Sequence, residues 1–541
     1  MIIWYSIGVA TALFVQTSAA SLRHLSSTTL GVDPDTMNHL NGESFQQDAL
    51  VTWSGWQYAA FWTPSATDSS VRHITLSRRS LSENSTEWDT FSFDDYNQTH
   101  DDGHNTISLG ISRGDSSLHF IFDQHNSPLN YRSSIPGLAA VLGDGSAGPA
   151  WGPESFTETQ SVLSMVEEAL DPEIHFINIT YPRFLATPSN VQSILPGMPD
   201  LLLEFRVGRA GIGDDWLYKY LPSTTSGEPG VWELVGKYLQ GVNNNAYING
   251  LDFDYQSNLH ATWTYRDFIF DNDTGVAVQA GPNGPENNHD LVYAHSPDLG
   301  ATWYNSWGQP IATTVGSVNA TTGSGSDNTT READPGRRRL SESVVPTSPG
   351  VTVFSIPKYG GILNQEAQTV DWEGRVHVLN RENSTGTQQW YHYYRTPNVL
   401  TPEPASASYW FRAALPLNLA DDPNSVTNTP AIIGKRGKLV FVSSSSNLTE
   451  GVNATDGTTL LALLPSNAPN STAFSILAAN SWNDFTDWET VWSVEEGCGW
   501  EPLFDRERIQ LGGPGTGEEK VLSLFMVNGT AVQVWDLVVE A

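Results

Sequence analysis

Apolar and polar positions along this chain alternate with a period of two, in short runs broken by turn residues. Such runs are ALVTWSGWQYAAFW at 49–62, DLLLEFRVG at 200–208, NLHATWTYRD at 258–267, RVHVLNRE at 375–382, KLVFVSSSS at 438–446 and VLSLFMVNG at 521–529. Period-two alternation places side chains on opposite faces of a strand, and Gly, Pro, Asn and Ser clusters between runs end each strand in a turn. The 3.6-residue stripes of amphipathic helices are nearly absent; SVLSMVEEALD at 161–171 is the best helix candidate. The pattern predicts an all-β fold.

A longer period overlies the short one. GLDFDYQSNLHATWTYRD at 250–267 echoes AQTVDWEGRVHVLNRE at 367–382, and more loosely TISLGISRGDSSLHFIFDQ at 106–124. Each reads as a strand, a turn containing Asp or Gly, and a strand carrying Leu-His or Val-His. A few-strand unit repeated every 50–60 residues or so predicts a β-propeller with enlarged blades. Ser296–Trp303, SPDLGATW, matches the Asp-box hairpin, in which Asp298 and Gly300 shape a turn and Trp303 packs between strands. Residues 319–349, rich in Thr, Ser, Gly, Asn and Pro and carrying Arg337-Arg338-Arg339, lack any hydrophobic period and read as a flexible surface insertion, with a smaller polar insertion at 76–88.

Composition narrows the function classes. The first twenty residues, MIIWYSIGVATALFVQTSAA, form an apolar run ending in small residues, the pattern of a signal peptide despite a missing basic start. Eleven Asn-x-Ser/Thr sequons, among them Asn97, Asn178, Asn383 and Asn528, add to the expectation of a secreted, extracellular glycoprotein with residues 21–541 as one domain. The single cysteine, Cys498, rules out an intrachain disulfide and reads as a small buried hydrophobe, so stability must come from the core. A formal charge of −33 excludes a nucleic-acid footprint and means that any polyanion site needs its own local Arg and His. No second apolar span follows the leader, so no membrane partner is expected. A monomer is expected.

The candidate chemistry begins in the stretch Asp101–Arg132, where Asp-Gly-His-Asn ending at Asn105 is echoed by Asp-Gln-His-Asn ending at Asn126. Two predicted strands lie between them, so His104 and His125 fall at strand ends, where a β scaffold displays its functional groups. Further candidates are Tyr181 and Arg183 in NITYPRF, Arg206 and Arg209 in EFRVGRAGIGD, Arg266 in TWTYRD, Asn364 and Gln365 in GILNQEAQ, and Tyr393 in WYHYYR. Each also has a bland reading: strand-end arginines in ion pairs, tyrosines in the core. Arg183 and Arg209 read as structural, and His289 and His392 as packing or turn residues. Acidic propeller loops suit calcium chemically, yet no ligand spacing calls for it, and no metal or cofactor is expected.

The phrases TYPRF, EFRVGRAGIGD, YINGLDFD…LHATWTYRD, NHDLVYAHSPDLGATW and LNQEAQTVDWEGRVHVL, in this order, resemble the Asp-box (BNR-repeat-like) propeller family of secreted polysaccharide lyases. That family includes seven-bladed bacterial ulvan lyases and fungal L-rhamnose-α-1,4-D-glucuronate lyases. The resemblance covers most of residues 45–400 and implies a seven-bladed β-propeller that cleaves a glucuronate-containing polysaccharide by β-elimination. It implies His125 as the principal acid/base, Tyr181 as a partner in proton transfer, and His104 and Arg206 as carboxylate ligands. Arg266, Asn364 and Tyr393 would contact the sugars. The chemistry is consistent: a cation must neutralise the uronate carboxylate, a base must take the C5 proton, and an acid must protonate the departing O4. One departure from the family pattern is TPSNVQSILPGMPD at 187–200, longer than a tight turn and expected to reshape the substrate cleft. Two other functions remain open: a sialidase-type glycoside hydrolase, which also uses Asp-box propellers but needs an arginine triad with a Tyr/Glu pair, and a non-catalytic carbohydrate-binding propeller.

Overall fold

The computed structural model describes residues 20–43, 48–81, 86–140, 149–188, 198–211, 213–241, 244–271, 276–279, 288–314, 342–396, 409–416, 435–443, 457–466, 471–511 and 519–540. The leader through residue 19 and residues 319–341 of the expected insertion lie outside them. The strands form seven antiparallel sheets. Blade 1 runs Leu50–Trp53, Trp56–Pro64, Arg72–Ser80 and Asp89–Gln98, innermost strand first. Blades 2 to 6 begin with the inner strands Ile107–Ile111, Ile179–Ala186, Asn244–Phe253, Ala367–Val370 and Lys438–Ser443. Blade 7 is composite: Leu503–Phe504, Lys520–Asn528 and Ala531–Glu540 are completed by the N-terminal strand Ser21–Val32 on the outer edge. The fold is the expected seven-bladed β-propeller.

The period-two alternation becomes two-sided burial. Each sheet lies between two neighbours, and the buried residues fall into seven apolar clusters, one between each pair of adjacent blades. Leu202, Leu217 and Tyr238 of blade 3, for example, meet Trp263, Val292 and Trp303 of blade 4. Leu50 and Phe61 of blade 1 meet Phe525 and Val534 of blade 7. Seven such interfaces replace the disulfides that this chain cannot form; Cys498 is itself buried, and burial pushes its thiol up to about 12. The echoed phrases are the inner and second strands of blades 4, 5 and 2. The Asp-box joins the third and fourth strands of blade 4. Asp298 accepts from the Thr302 amide at 2.7 Å, Gly300 takes φ 89°, and the Trp303 indole donates to the Gly300 carbonyl at 2.9 Å.

Three local expectations change. Residues 161–171 are turns, with Met165 at φ 70°, and the α-helix is a single turn at Pro172–His175. The polar stretch 76–88 begins as strand: residues 76–80 complete the third strand of blade 1, with Leu76, Ser77 and Arg79 buried, and residues 82–85 lie outside the described residues. The end of the 319–349 segment is also built in. Val344 is fully buried, and its amide donates to the Tyr238 carbonyl at 2.8 Å.

Ring closure is electrostatic as well as apolar. Asp536 of blade 7 pairs with Arg79 of blade 1 at 2.8 Å and with Arg508 at 2.8 Å, and accepts from the Ser523 hydroxyl at 2.7 Å. Asp505 extends this buried network to Thr52 and Gln57 of blade 1. Burial alone would raise the Asp536 carboxyl, but the two guanidiniums hold it below its ordinary value. A depressed folded-state pKa contributes stability at neutral pH that is lost as pH falls through that value. Asp536→Ala strands two buried cations and is expected to cost about 3–5 kcal/mol, measured by chemical denaturation at pH 7. A loss below about 1 kcal/mol, the range of surface ion pairs, would mean that the closure does not depend on it.

Candidate active site

In an antiparallel blade, the start of the inner strand, the end of the second and the start of the third lie at the same end. Segments leading into the inner strands therefore share one mouth of the central channel with the turns between second and third strands. The sequence candidates gather there.

The loop before the blade 2 inner strand is shaped by Asp102. Its Oδ1 accepts the His104 amide at 3.0 Å, a local turn typical of Asp, and the same oxygen meets His104 Nδ1 at 2.6 Å. Its Oδ2 meets His125 Nδ1 at 2.5 Å. The two imidazoles stack with centroids 3.9 Å apart and planes 19° from parallel. His125 reaches this position because residues 125–127 pair with the inner strand of blade 3, His125 opposite Thr180. A carboxylate on Nδ1 fixes the proton there in each ring, so in the neutral form Nε2 carries the basic lone pair. Burial lowers the His104 pKa, with His125 and Arg206 acting in the same direction and Asp102 opposing them. Burial would raise Asp102, yet its two imidazole hydrogen bonds hold the carboxyl well below the usual range.

Tyr181 stands next. It occupies the left-handed region at φ 64°, within a bulge in the register between Thr180 and Arg183. A non-glycine residue held there costs on the order of 1–3 kcal/mol, a form of strain that clusters at functional sites. Its ring lies 5.7 Å from His104 and 6.0 Å from Tyr247. Burial, then Tyr247, push its hydroxyl up to about 12, against the pull of Arg206, Arg266 and Arg436. Arg206 lies over the Tyr181 ring at 4.9 Å and donates to Asn126 Oδ1 at 3.2 Å and Thr180 Oγ1 at 3.1 Å. Arg266 lies over Tyr247 at 4.8 Å and donates to Asn288 at 3.0 Å and Asn364 at 3.1 Å. Arg436, before the blade 6 inner strand, donates to the Asn364 carbonyl at 3.1 Å and to Glu501 at 3.2 Å.

The structure thus brings His104, His125, Tyr181, Arg206, Arg266 and Asn364 to one mouth. Tyr393 is a correction: it is fully buried between blades 4 and 5, where its hydroxyl donates to Glu382 at 2.5 Å beside Arg412. The period-two pattern could not say whether a residue lies deep between two blades or beside the mouth. Arg183 and His392 are buried, His392 against His377, and Arg209 is exposed. The two ends of the long 187–200 segment, Thr187 and Asp200, lie at the opposite mouth; residues 189–197 lie outside the described residues. Sequence reasoning gave no role to Asp102, Asn126, Tyr247 or Arg436. Asp102 and Asn126 were within reach, since both belong to the repeated His-Asn phrases. No echo marks Arg436. The donor atoms of Asp102, His104 and His125 lie within 4.8 Å of one another, so among the described residues these three could also hold a metal ion, although each Nδ1 is already engaged by the carboxylate.

Residues 56–400 match the BNR repeat-containing family. The chain belongs to that family. A search of curated proteins finds no match. Among solved structures, the chain is similar to the polysaccharide lyase Uly1, with 14% identity, 96% of this chain and 99% of that one covered, and a TM-score of 0.58. It is also similar to an ulvan lyase of polysaccharide lyase family 25 bound to a GlcA(1-4)Rha3S saccharide, with 12% identity, coverage of 93% and 97%, and a TM-score of 0.51. At these identities the likeness shows a shared propeller fold.

The histidine pair makes a direct prediction. In the folded protein His104 titrates below the ordinary histidine value of 6.5. Asp102→Asn removes the one partner that favours its charged form, so its pKa falls further. Histidine ring NMR against pH checks both signs, and titration of wild-type His104 above 6.5 would contradict the arrangement.

Proposed function

We propose that this protein is a secreted polysaccharide lyase that cleaves a glucuronate-containing glycan, of the rhamnose-α-1,4-glucuronate type, by β-elimination. The observation that carries the reading is the stacked His104–His125 pair on Asp102, set beside a protonated Tyr181 and a group of guanidiniums. The half-buried Arg266 binds the uronate carboxylate, and Arg206, fully buried against the Tyr181 ring, adds its positive field, which together acidify the C5 proton. His125 accepts that proton at Nε2, held in the right tautomer by Asp102. Tyr181, with its pKa near 12, keeps its proton at neutral pH and delivers it to the departing O4. The C5–H electrons form the C4–C5 double bond as the C4–O4 bond breaks. His104, neutral at pH 7 by the direction of its shift, supports the sugar and His125 more readily than it pairs with an anion.

A tyrosine-nucleophile hydrolase would also use a group of arginines, and Arg206, Arg266 and Arg436 all act on Tyr181. The Asp-held pair of histidines has no task in that chemistry and favours elimination. Secretion is supported by the apolar leader and by the sequon residues Asn97 and Asn383, which are exposed. No helix among the described residues is long and apolar enough to cross a membrane. Polysaccharide is the proposed partner, with the protein acting as a monomer and no cofactor taking part in the proton transfers.

The test is incubation with glucuronate-containing glycans while following the ultraviolet absorbance of an unsaturated uronate end. Reducing ends without that absorbance would mean a hydrolase, and neither product a binding protein. His125→Ala is expected to lower kcat by about 10²–10⁴-fold, and Arg206→Ala kcat/KM by about 10²–10³-fold. With Tyr181 as the acid, its pKa pushed up to about 12, activity persists well into the alkaline range while the fold survives. A sharp loss between pH 7 and 9 in folded enzyme would remove Tyr181 from the acid role.

A further inference from the structure

The mouth opposite the candidate active site is built as well. The echoed phrases of blades 4 and 5 place there the same turn, bond for bond. In blade 4, Asp254 accepts the amides of Gln256 and Asn258 at 2.9 and 2.8 Å, the Asn258 side chain at 2.8 Å, and His260 at 3.2 Å. In blade 5, Asp371 accepts the amides of Glu373 and Arg375 at 3.0 and 2.9 Å, the Arg375 side chain at 2.6 Å, and His377 at 3.2 Å. Each Asp thus holds positions two, four and six residues on. The residue directly after it is an aromatic at the turn tip: Tyr255, 43% exposed, and Trp372, half-buried. The turn itself needs no aromatic. The corresponding Asp115 of blade 2 accepts the Ser117 amide at 3.0 Å, with Ser116 at the tip.

Tyr255 and Trp372 face one cavity of about 260 Å³, to which blades 6 and 7 add Phe441 and Phe504. That volume falls short of the roughly 300–1,000 Å³ of drug-sized sites and accommodates a single sugar ring. The polar groups on its wall are mostly acceptors. Asp252 and Asp48 engage Arg506, and Glu507 engages Arg113 at 2.5 Å, so both arginines are matched by carboxylates. Gln510 Oε1 is buried and finds no hydrogen-bond partner among the described residues. Aromatic faces with surrounding acceptors suit the C–H faces and hydroxyl donors of a pyranose. Paired arginines, excess carboxylate and a chain charge of −33 disfavour a uronate. From Tyr247 to Asp254 along the blade 4 inner strand is seven residues, on the order of 20 Å, so this site is separate from the catalytic mouth.

We propose that the cavity is a second carbohydrate site, which takes a neutral saccharide by stacking on Tyr255 and Trp372. It stands whether or not the opposite mouth is a lyase centre. The experiment titrates the full chain with neutral gluco-, galacto-, manno- and arabino-oligosaccharides, using calorimetry and saturation-transfer NMR, with glucuronate as the anionic comparator. At least one neutral oligomer is expected to bind with millimolar affinity, unchanged in His125→Ala and not displaced by glucuronate. Trp372→Ala or Tyr255→Ala weakens it at least tenfold, whereas Trp372→Phe, which keeps a stacking face, retains most of it. Turnover of a short soluble substrate is the same in the Trp372 and Tyr255 variants as in wild type, which also certifies their fold; if the chain turns nothing over, an unchanged melting temperature does so. Absence of binding by every neutral oligomer overturns the proposal. So does binding that survives Trp372→Ala with Tyr255→Ala, or that disappears in His125→Ala.

Discussion

Everything in this molecule depends on closing a ring of seven sheets. No blade is stable alone, because both of its faces are apolar and each needs a neighbour. Blade 7 cannot be completed until the first strand, Ser21–Val32, pairs with the last, Ala531–Glu540, across nearly the whole chain. The buried ion network of Asp536, Arg79 and Arg508 sits beside that seam and matches charge where a purely apolar join would have no register. Once closed, the ring holds the inner-strand entries of all seven blades around one channel. That is why residues as distant in sequence as His104 and Arg436 act on the same tyrosine.

The electrostatics of the catalytic mouth run against those of the whole chain. A protein of net charge −33 should repel a polyanion, yet Arg206, Arg266 and Arg436 are placed together around Tyr181 and Tyr247. Arg206 and Arg266 are tied to the neutral amide oxygens of Asn126 and Asn288, whereas Arg436, bonded to the Asn364 carbonyl, is faced by the carboxylates of Glu501, Glu43 and Glu366. Amide acceptors orient a guanidinium without cancelling its charge, which keeps it able to meet an anionic sugar. At the other mouth the arginines are matched by carboxylates, and the surface offers aromatic rings instead. One propeller thus presents two chemically distinct ends.

Asp102 is the smallest unit on which the proposed chemistry turns. It shapes its own loop, fixes the tautomer of two imidazoles and holds them in a stack at 3.9 Å. Its position two residues before His104 makes it part of the same local phrase. His125 joins only because residues 125–127 leave blade 2 and pair with blade 3.

The sequence by itself determined the strands, the repeat and the residue types. Alternation over runs such as 258–267 and 375–382 is a local property of a pleated chain, and the Asp-His turns at 254–260 and 371–377 close on themselves within seven residues. The repeated His-Asn phrases and the family resemblance together brought His104, His125, Tyr181, Arg206, Arg266 and Asn364 into one list. Only the tertiary structure decided which of them meet. Tyr393 and Arg266 lie on strands of the same alternating kind, but one packs deep between blades 4 and 5 and the other lies over Tyr247 at the mouth, a choice made by the closed ring rather than by pattern. Arg436 was silent because its partners, Asn364 and Glu501, come from blades 5 and 7. The two ends of the 187–200 extension, Thr187 and Asp200, lie at the far mouth, because strand direction around a closed ring, not distance in sequence from Tyr181, assigns each strand end to a mouth.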